Sequence, residues 1–592
     1  MKEDNNRWDE ALGLNENVSR RDFLNGALLG TGAALSGNLS PRMIFSQESG
    51  DRERWSGNTE DVFAAGHAVR DGVYDDPNLT ASDTGEVYDL LVVGGGFSGL
   101  AAAHYFNQIK GSGGKALVLE NHGMFGGNAR RDTFNIDGRT LHAPQASIVA
   151  QDLPPAFAMP SAVEPLFEQI GVQLNDIKIP AEASAFSVFS DENTDGQAPK
   201  WYPNIMEAPI TESERKDLME FFGTIMPFYQ NPGWQEELLR LDEFSFKDYV
   251  EKERNWNHLF RLMQPDLAVF FSLPEKVSAA AVFAQFGGGP RPLYCFPGGN
   301  SGFLRHLMKA LIPDSIAGNN VTSEIIKMEP NLAALDRKGN SVRVRLGATV
   351  VRVEHEGQPE SAELVRVTYR KEGKLYRSHA RGVIMAGGGY ITRHVVRDLP
   401  PENHAAYGKF KYAPILQINV GLNNSLGLDR AGLNFFASYR NGFGSGLYLY
   451  EKMSAAGLDP KRNPDRPNVI GMAVPMLYPE LSISEQTSKG RLEMLETSFK
   501  AYERKTRQEL ERLLGPSGFD PKRDISGIAV SRWGHHGYLF PYPGIYNDGA
   551  VEAARKSYGR IAFAHTDLDR FSHMMGAIRH GYRALKDLGY EV

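Results

Sequence analysis

Cysteine is almost missing from this chain. Cys295 is the one thiol among 592 residues, so an intramolecular disulfide, a thiolate zinc site and a covalently attached c-type haem are all excluded. A basic excess is missing too: 65 lysines and arginines against 72 aspartates and glutamates leave a net charge of -7. Nothing is therefore available to condense along a phosphate backbone, and nucleic acid drops out of the expected partners. No apolar run approaches the ~20 residues that cross a bilayer, so no stable membrane span is expected. No segment repeats, no heptad run appears, and no residues are spaced as a metal site. What remains is globular in kind, with 41% hydrophobic and 23% charged residues over a length that implies two or more cores or one large interleaved core. Glycine is plentiful, 61 residues without a collagen-like period, as suits a chain whose backbone approaches a ligand at several turns.

The first fifty residues read as an address. Ser19-Arg20-Arg21-Asp22-Phe23-Leu24 precedes a weakly apolar stretch from Gly26 to Leu35, the pattern of a twin-arginine export signal. That pathway carries folded proteins, so the expected location is the periplasm and the export machinery is an expected partner. Arg42 to Gly57 reads as a disordered polar linker, and residues 1–50 as signal plus linker.

The folded part opens on a dinucleotide site. Tyr88 to Val93 is a short apolar strand that runs into Gly94-Gly95-Gly96-Phe97-Ser98-Gly99 and then Leu100-Ala101-Ala102-Ala103. Gly94 permits the tight turn, Gly96 lets backbone approach a pyrophosphate, and Gly99 lets helix and strand pack closely, while the helix start offers amides, those of Phe97 and Ser98 among them. A second strand, Lys115 to Leu119, ends in Glu120, 21 residues after Gly99, the acid expected on an adenosine ribose, with Asn121 beside it. Gly126-Gly127-Asn128-Ala129-Arg130-Arg131 then resembles the glycine pair and basic residue that FAD enzymes wrap around the pyrophosphate.

Distant segments complete this unit. Ser341 to Leu346 and Ala348 to Val353, which contains Val351, alternate as half-buried strands do, and Leu364 to Tyr369 with Lys374 to His379 reads as a hairpin across Glu372-Gly373. Gly382 to Gly389, with Gly387, is a buried strand ending in glycines near the cofactor. Gly559 to Ala564 is a last strand, followed by Asp567, which either holds the ribityl chain or caps a helix, and by a helix from Met574 to Leu588 that places Ala577 near the flavin or its phosphates. The expected fold is α/β, a Rossmann-type FAD-binding domain of the glutathione reductase-like or amine oxidase-like kind with an interleaved α+β substrate domain. The FAD-binding parts are 85–146, 291–395 and 526–592; the substrate domain is 147–290 and 396–525. Within the latter, helices are expected over Glu212 to Phe228, Gln235 to Leu241 and Glu496 to Leu514, and a strand over Ile415 to Leu422.

With these pieces in order, the chain resembles bacterial spermidine dehydrogenase-like flavoproteins, a branch near the flavin amine oxidases. The match is carried by Leu91 to Ala103, by Leu119-Glu120-Asn121-His122 through Arg131, and by Phe296-Pro297-Gly298-Gly299-Asn300 with Leu311-Ile312-Pro313. Leu514-Gly515-Pro516, Arg532-Trp533 with His536-Gly537-Tyr538, and Gly559 to Ala564 with Asp567 extend it. Asn128 departs from the histidine familiar at that position. The resemblance implies FAD held non-covalently, with a non-covalent haem left open, a small-molecule donor that is an amine or polyamine, and a quinone or cytochrome-type acceptor. Trp533, His535, His536 and Tyr538 are the candidates beside the flavin ring; an ordinary aromatic core with one satisfied histidine is the competing reading. For an alcohol or sugar donor, one of those histidines would be the base. His142 and His565 are lesser candidates, and Arg130 and Arg131 are candidates for the pyrophosphate or a reduced, anionic flavin. A flavin-binding relay subunit without a small donor is the rival from another class.

Overall fold

The computed structural model describes residues 53–76, 78–151, 164–179, 186–190, 199–267, 274–450 and 463–591. The export motif and its apolar stretch lie outside the described residues. Within them, no helix is long and apolar enough to cross a membrane.

Short runs of branched apolar residues form the centre of the first unit. Leu90–Val93 and Ala116–Leu119 lie side by side in a parallel sheet whose order is Val342–Arg345, Ala116–Leu119, Leu90–Val93, Val383–Met385, Ile561–Phe563. Both faces are covered, which explains runs without polar alternation. Leu90, Val92, Ala116 and Val118 face the helices Phe97–Lys110, Ser301–Leu311 and Met574–Asp587. Leu91, Leu117 and Met385 face a second sheet, built from Thr349–His355, Val365–Lys371, Lys374–Ala380 and Ser82–Tyr88. The hairpin turn at Glu372 (φ 51°) and Gly373 (φ 77°) is left-handed at both central residues, the geometry that matches strand twist.

The substrate side is a mixed eight-stranded sheet backed by the amphipathic helix Phe499–Leu514. Its long central strands, Tyr412–Leu422 and Ile525–Leu539, pair antiparallel. A separate helical cluster, with Phe221, Phe246, Trp256 and Phe283 fully buried, covers one end of the cavity described below.

Three expectations from the sequence differ. Ile525–Leu539 belongs to the eight-stranded sheet, not to the FAD unit that the boundary at 526 implies; its apolar residues fit either sheet, and only pairing decides. Glu53–Gly57, inside the expected linker, is a strand parallel to that same segment, in register from Glu53 opposite Ile528 to Gly57 opposite Arg532. The helix expected over Glu496 to Leu514 starts later, as Phe499–Leu514: Ile483–Glu496 ends where Thr497 turns extended, and the Ser498 hydroxyl accepts from the Ala501 amide, a cap signal inside an otherwise helical stretch.

Candidate functional site

A cavity of about 580 Å³ runs along the carboxyl ends of the parallel strands and passes beneath the eight-stranded sheet. At its inner end the glycine turn is set by close approach. Gly94 adopts φ 116°, and a Cβ on Gly99 would lie 1.9 Å from the Gly94 carbonyl oxygen, so no side chain fits there. Gly96 differs: a Cβ there would meet nothing within 4 Å, because this residue faces the cavity. The helix Phe97–Lys110 starts at that point, and Phe97 and Ser98 line the wall with Gly94 and Gly96.

Glu120 closes the next strand and is 3% exposed. Its carboxylate accepts from the Gly95 amide (2.8 Å) and the His122 amide (2.8 Å), and meets His122 Nδ1 at 2.7 Å. Burial pushes this carboxyl up, but the His122 ring and the two amides outweigh it and hold the group ionised. His122 is fixed in turn by Asn58 at 3.1 Å. Gly126 donates its amide to the Gly95 carbonyl (2.8 Å), and Gly127 (φ 56°) sits against Gly96, so the two glycine turns are docked on each other. Asn121, Gly126, Gly127 and Asn128 line the cavity beside them.

Five of the residues expected at the cofactor are absent from the lining. Gly99 acts behind the turn, and Ala129 is core. Val351 is fully buried in the core between the two stacked sheets, while Thr349 and Val350 take the wall positions; a one-residue step along a strand reverses the face. Arg130 donates to the Gly127 and Gly57 carbonyls at 3.0 and 2.6 Å and lies 5.3 Å from the Trp533 ring, bracing the glycine pair from behind. Asp567 accepts from the Tyr412 hydroxyl (2.6 Å) and the Gly389 amide (3.2 Å) and meets His565 at 2.8 Å. It is a buried anchor whose neighbours His565 and Thr566 reach the cavity. Gly387 and Ala577 do line it. Arg131, also considered for the pyrophosphate, donates to the Ile326 carbonyl at 2.7 Å instead.

The aromatic end combines three elements. Trp533 is fully buried and donates to the Gln145 carbonyl at 3.2 Å. His535 stacks on Tyr390 at 4.8 Å and 18°, and Tyr390 meets Tyr412 edge-on at 5.3 Å. Trp533, His535, Tyr390 and Tyr412 all line the cavity. Burial, with Asp567 and Glu120 nearby, holds the Tyr390 hydroxyl well above its ordinary value, so it stays protonated. His536 and Tyr538 lie on the same strand, but their side chains are outside the described residues. His142 is bonded to Thr133 and stands apart from the lining. Among the wall residues that escaped sequence reasoning are His122, Tyr390, Tyr412 and Gln285. Gln285 is 8% exposed, lines the cavity from the helical cluster, and its side-chain oxygen has no hydrogen-bond partner among the described residues. A strand-end motif flanks His122 and a glycine run precedes Tyr390; nothing in the sequence marks Gln285.

FAD fits this arrangement. Open space before Gly96, amides at a helix start, and a buried ionised carboxylate 21 residues beyond Gly99 together supply a pyrophosphate cradle and a ribose acceptor. Cys295 is buried, bonds to carbonyl oxygens of Ile148 and Phe296, and is pushed up to about 12 by burial. It stands behind the cavity wall, against Ile148.

Comparison with known proteins agrees. The family model described as flavin containing amine oxidoreductase matches residues 97–587. Oxidoreductase PigB of Serratia sp. is 43% identical over 68 residues, 12% of this chain and 9% of that protein. Pseudooxynicotine dehydrogenase of Pseudomonas sp. is 32% identical over 127 residues, 21% of this chain and 20% of that protein. The chain thus spans a fifth or less of the length of these curated relatives. Among solved structures, putrescine oxidase bound to putrescine has a TM-score of 0.54 at 18% identity, over 85% of this chain and 99% of that one. Cyclohexylamine oxidase from Brevibacterium oxydans has a TM-score of 0.54 at 14% identity, over 85% and 98%. At such identities the likeness concerns the fold alone.

Proposed function

Because this chain belongs to the flavin-containing amine oxidoreductase family, with FAD as its cofactor, we propose that it is an exported dehydrogenase or oxidase that takes a hydride from a small amine. When bound, FAD supplies a two-electron acceptor for hydrogen on the carbon that carries the amine nitrogen. The protein's own part is positioning, desolvation and charge.

The observation that carries this reading is a cavity whose wall includes both the glycine turns with Glu120 and the aromatic side chains of Trp533, His535, Tyr390 and Tyr412. Cofactor and donor would therefore share one cavity. Aromatic faces strip water from an amine and favour its neutral form, which is the hydride donor. The open side-chain oxygen of Gln285 is an acceptor able to orient an N–H group. The sequence resemblance adds polyamines as members of the donor class and a quinone or cytochrome-type acceptor. The twin-arginine motif at Arg20-Arg21 supports a periplasmic location.

Anaerobic titration with amines, alcohols and sugars, read by the flavin absorbance, tests the proposal. Bleaching by amines is the expected result. Bleaching by alcohols or sugars alone would move the reaction to a C–OH donor, and a flavin that no donor bleaches would make this a relay subunit.

A further inference from the structure

The cavity meets water between three helices, Glu60–Arg70, Gly389–Val395 and Ile483–Glu496. Arg70, Ser484 and Ser488 are exposed there, while His67, Arg393, His394, Lys411 and Arg491 are half-buried. All eight line the cavity. Glu120 is the one carboxylate among the described lining residues, and it is held by Gly95 and His122 at the inner end.

Other acidic groups near this mouth are engaged elsewhere. Asp71 holds Arg70 through two bonds of 2.7 and 2.9 Å, and Asp75 pairs with Arg397 at 2.5 Å. At the opposite end of the first helix, Glu60 pairs with Arg532 at 2.5 Å and Asp61 with Arg370 at 3.1 Å. The remaining cations meet no carboxylate among the described residues. Arg393 donates to the His394 ring at 3.1 Å, Arg491 to the Tyr412 carbonyl at 3.4 Å and the Ser488 hydroxyl at 3.3 Å, and Lys411 to the Gly408 carbonyl at 3.3 Å. Like charge also reaches two groups of this wall: burial and then Arg70 lower Arg491, and burial and then Arg393 lower His394. A half-buried wall of uncompensated cations is costly unless an anion completes it.

We infer that this mouth binds the carboxylate of a donor whose other end is the amine, so that the substrate class is an amino carboxylate. The inference rests on the amine reading only for the reacting end of the donor. A guanidinium matches a carboxylate in geometry as well as charge, and the second ammonium of a diamine or polyamine would meet like charge at the same place. Within the proposed family of donors, the mouth therefore selects against polyamines. The neutral acceptor Gln285 and the aromatic wall remain for the amine end.

The test is calorimetric titration of the FAD-loaded enzyme at low ionic strength with glutarate, 1,5-pentanediol and 1,5-diaminopentane, three probes of one length and different charge. Glutarate is expected to bind at least ten-fold more tightly than the diol. That preference is expected to vanish in the double variant Arg393→Gln with Arg491→Gln and to return in Arg393→Lys with Arg491→Lys. Equal affinity for glutarate and the diol, or glutarate affinity unchanged in the glutamine variant, would overturn the assignment. So would loss of flavin from that variant, since the cations would then serve the cofactor. Anaerobic bleaching by 4-aminobutyrate, butylamine and 1,4-diaminobutane separates the two proposals. If amines bleach the flavin but glutarate fails to bind, the carboxylate site falls and the amine reading stands. If glutarate binds and no amine bleaches, the reverse holds.

Discussion

Two glycines of one turn do different work. The Cβ that alanine would add at Gly99 collides with the Gly94 carbonyl, and relieving it would separate helix from strand; the one added at Gly96 meets only open cavity. Gly99→Ala is therefore expected to cost about 3 kcal/mol or more of stability and to yield protein without flavin. Gly96→Ala is expected to leave the unfolding midpoint within the scatter of a surface change, about 0.5 kcal/mol, while weakening FAD at least ten-fold. Chemical denaturation and flavin titration on both variants check the contrast, and equal effects on stability would refute it. Much at this scale was legible beforehand: Gly94, Gly96 and Glu120 stand where their spacing predicts. Arg130 was also picked out, for the pyrophosphate or a reduced flavin, and Asp567 as either a ribityl ligand or a helix cap; the bonds they make here run to backbone carbonyls and to Tyr412. Sequence pattern identifies a polar residue near a site; which way its side chain turns depends on partners from other segments.

The strand Glu53–Gly57 ties the N-terminal side of the chain to the cofactor. Arg532 lies 3.9 Å over the Trp55 ring, and Trp55 meets Phe499 edge-on at 5.5 Å. One residue past this strand, Asn58 holds His122, which holds Glu120. Removing residues 1–52 is expected to leave flavin content unchanged, whereas removing residues 1–58 is expected to lower it several-fold, read as the ratio of flavin to protein absorbance. Equal flavin content in both truncations would show that the strap is dispensable. Composition hid this element: Glu53-Arg54-Trp55-Ser56-Gly57 is polar and short, and it forms a strand because the edge of Ile525–Leu539 offers unpaired backbone groups.

For the molecule as a whole, acid should be destabilising well above the carboxylate range. Burial lowers His104 to about 4, His142 to about 3 and His306 to about 4, from an ordinary value of 6.5. The unfolded chain thus binds more protons than the native one between these limits, so stability rises with pH there and is lost as pH falls from about 6.5 toward about 4. The combined effect is on the order of a few kcal/mol, and midpoints measured across that window should fall steadily; a flat profile would contradict it. The proposed export is also tested on the whole chain: Arg20→Lys with Arg21→Lys is expected to hold flavin-loaded protein in the cytoplasm, and unchanged periplasmic recovery would remove the export reading. What the sequence by itself determined is local: strand, glycine turn, helix and acid in the order a dinucleotide requires, and the hairpin at Glu372-Gly373, because those signals depend on neighbours in the chain. Tertiary structure alone decided which sheet Ile525–Leu539 joins, that Val350 rather than Val351 faces the cavity, and that His67, Arg393, Lys411 and Arg491 converge on one mouth. These outcomes depend on pairing and charge between segments hundreds of residues apart, which no local pattern encodes.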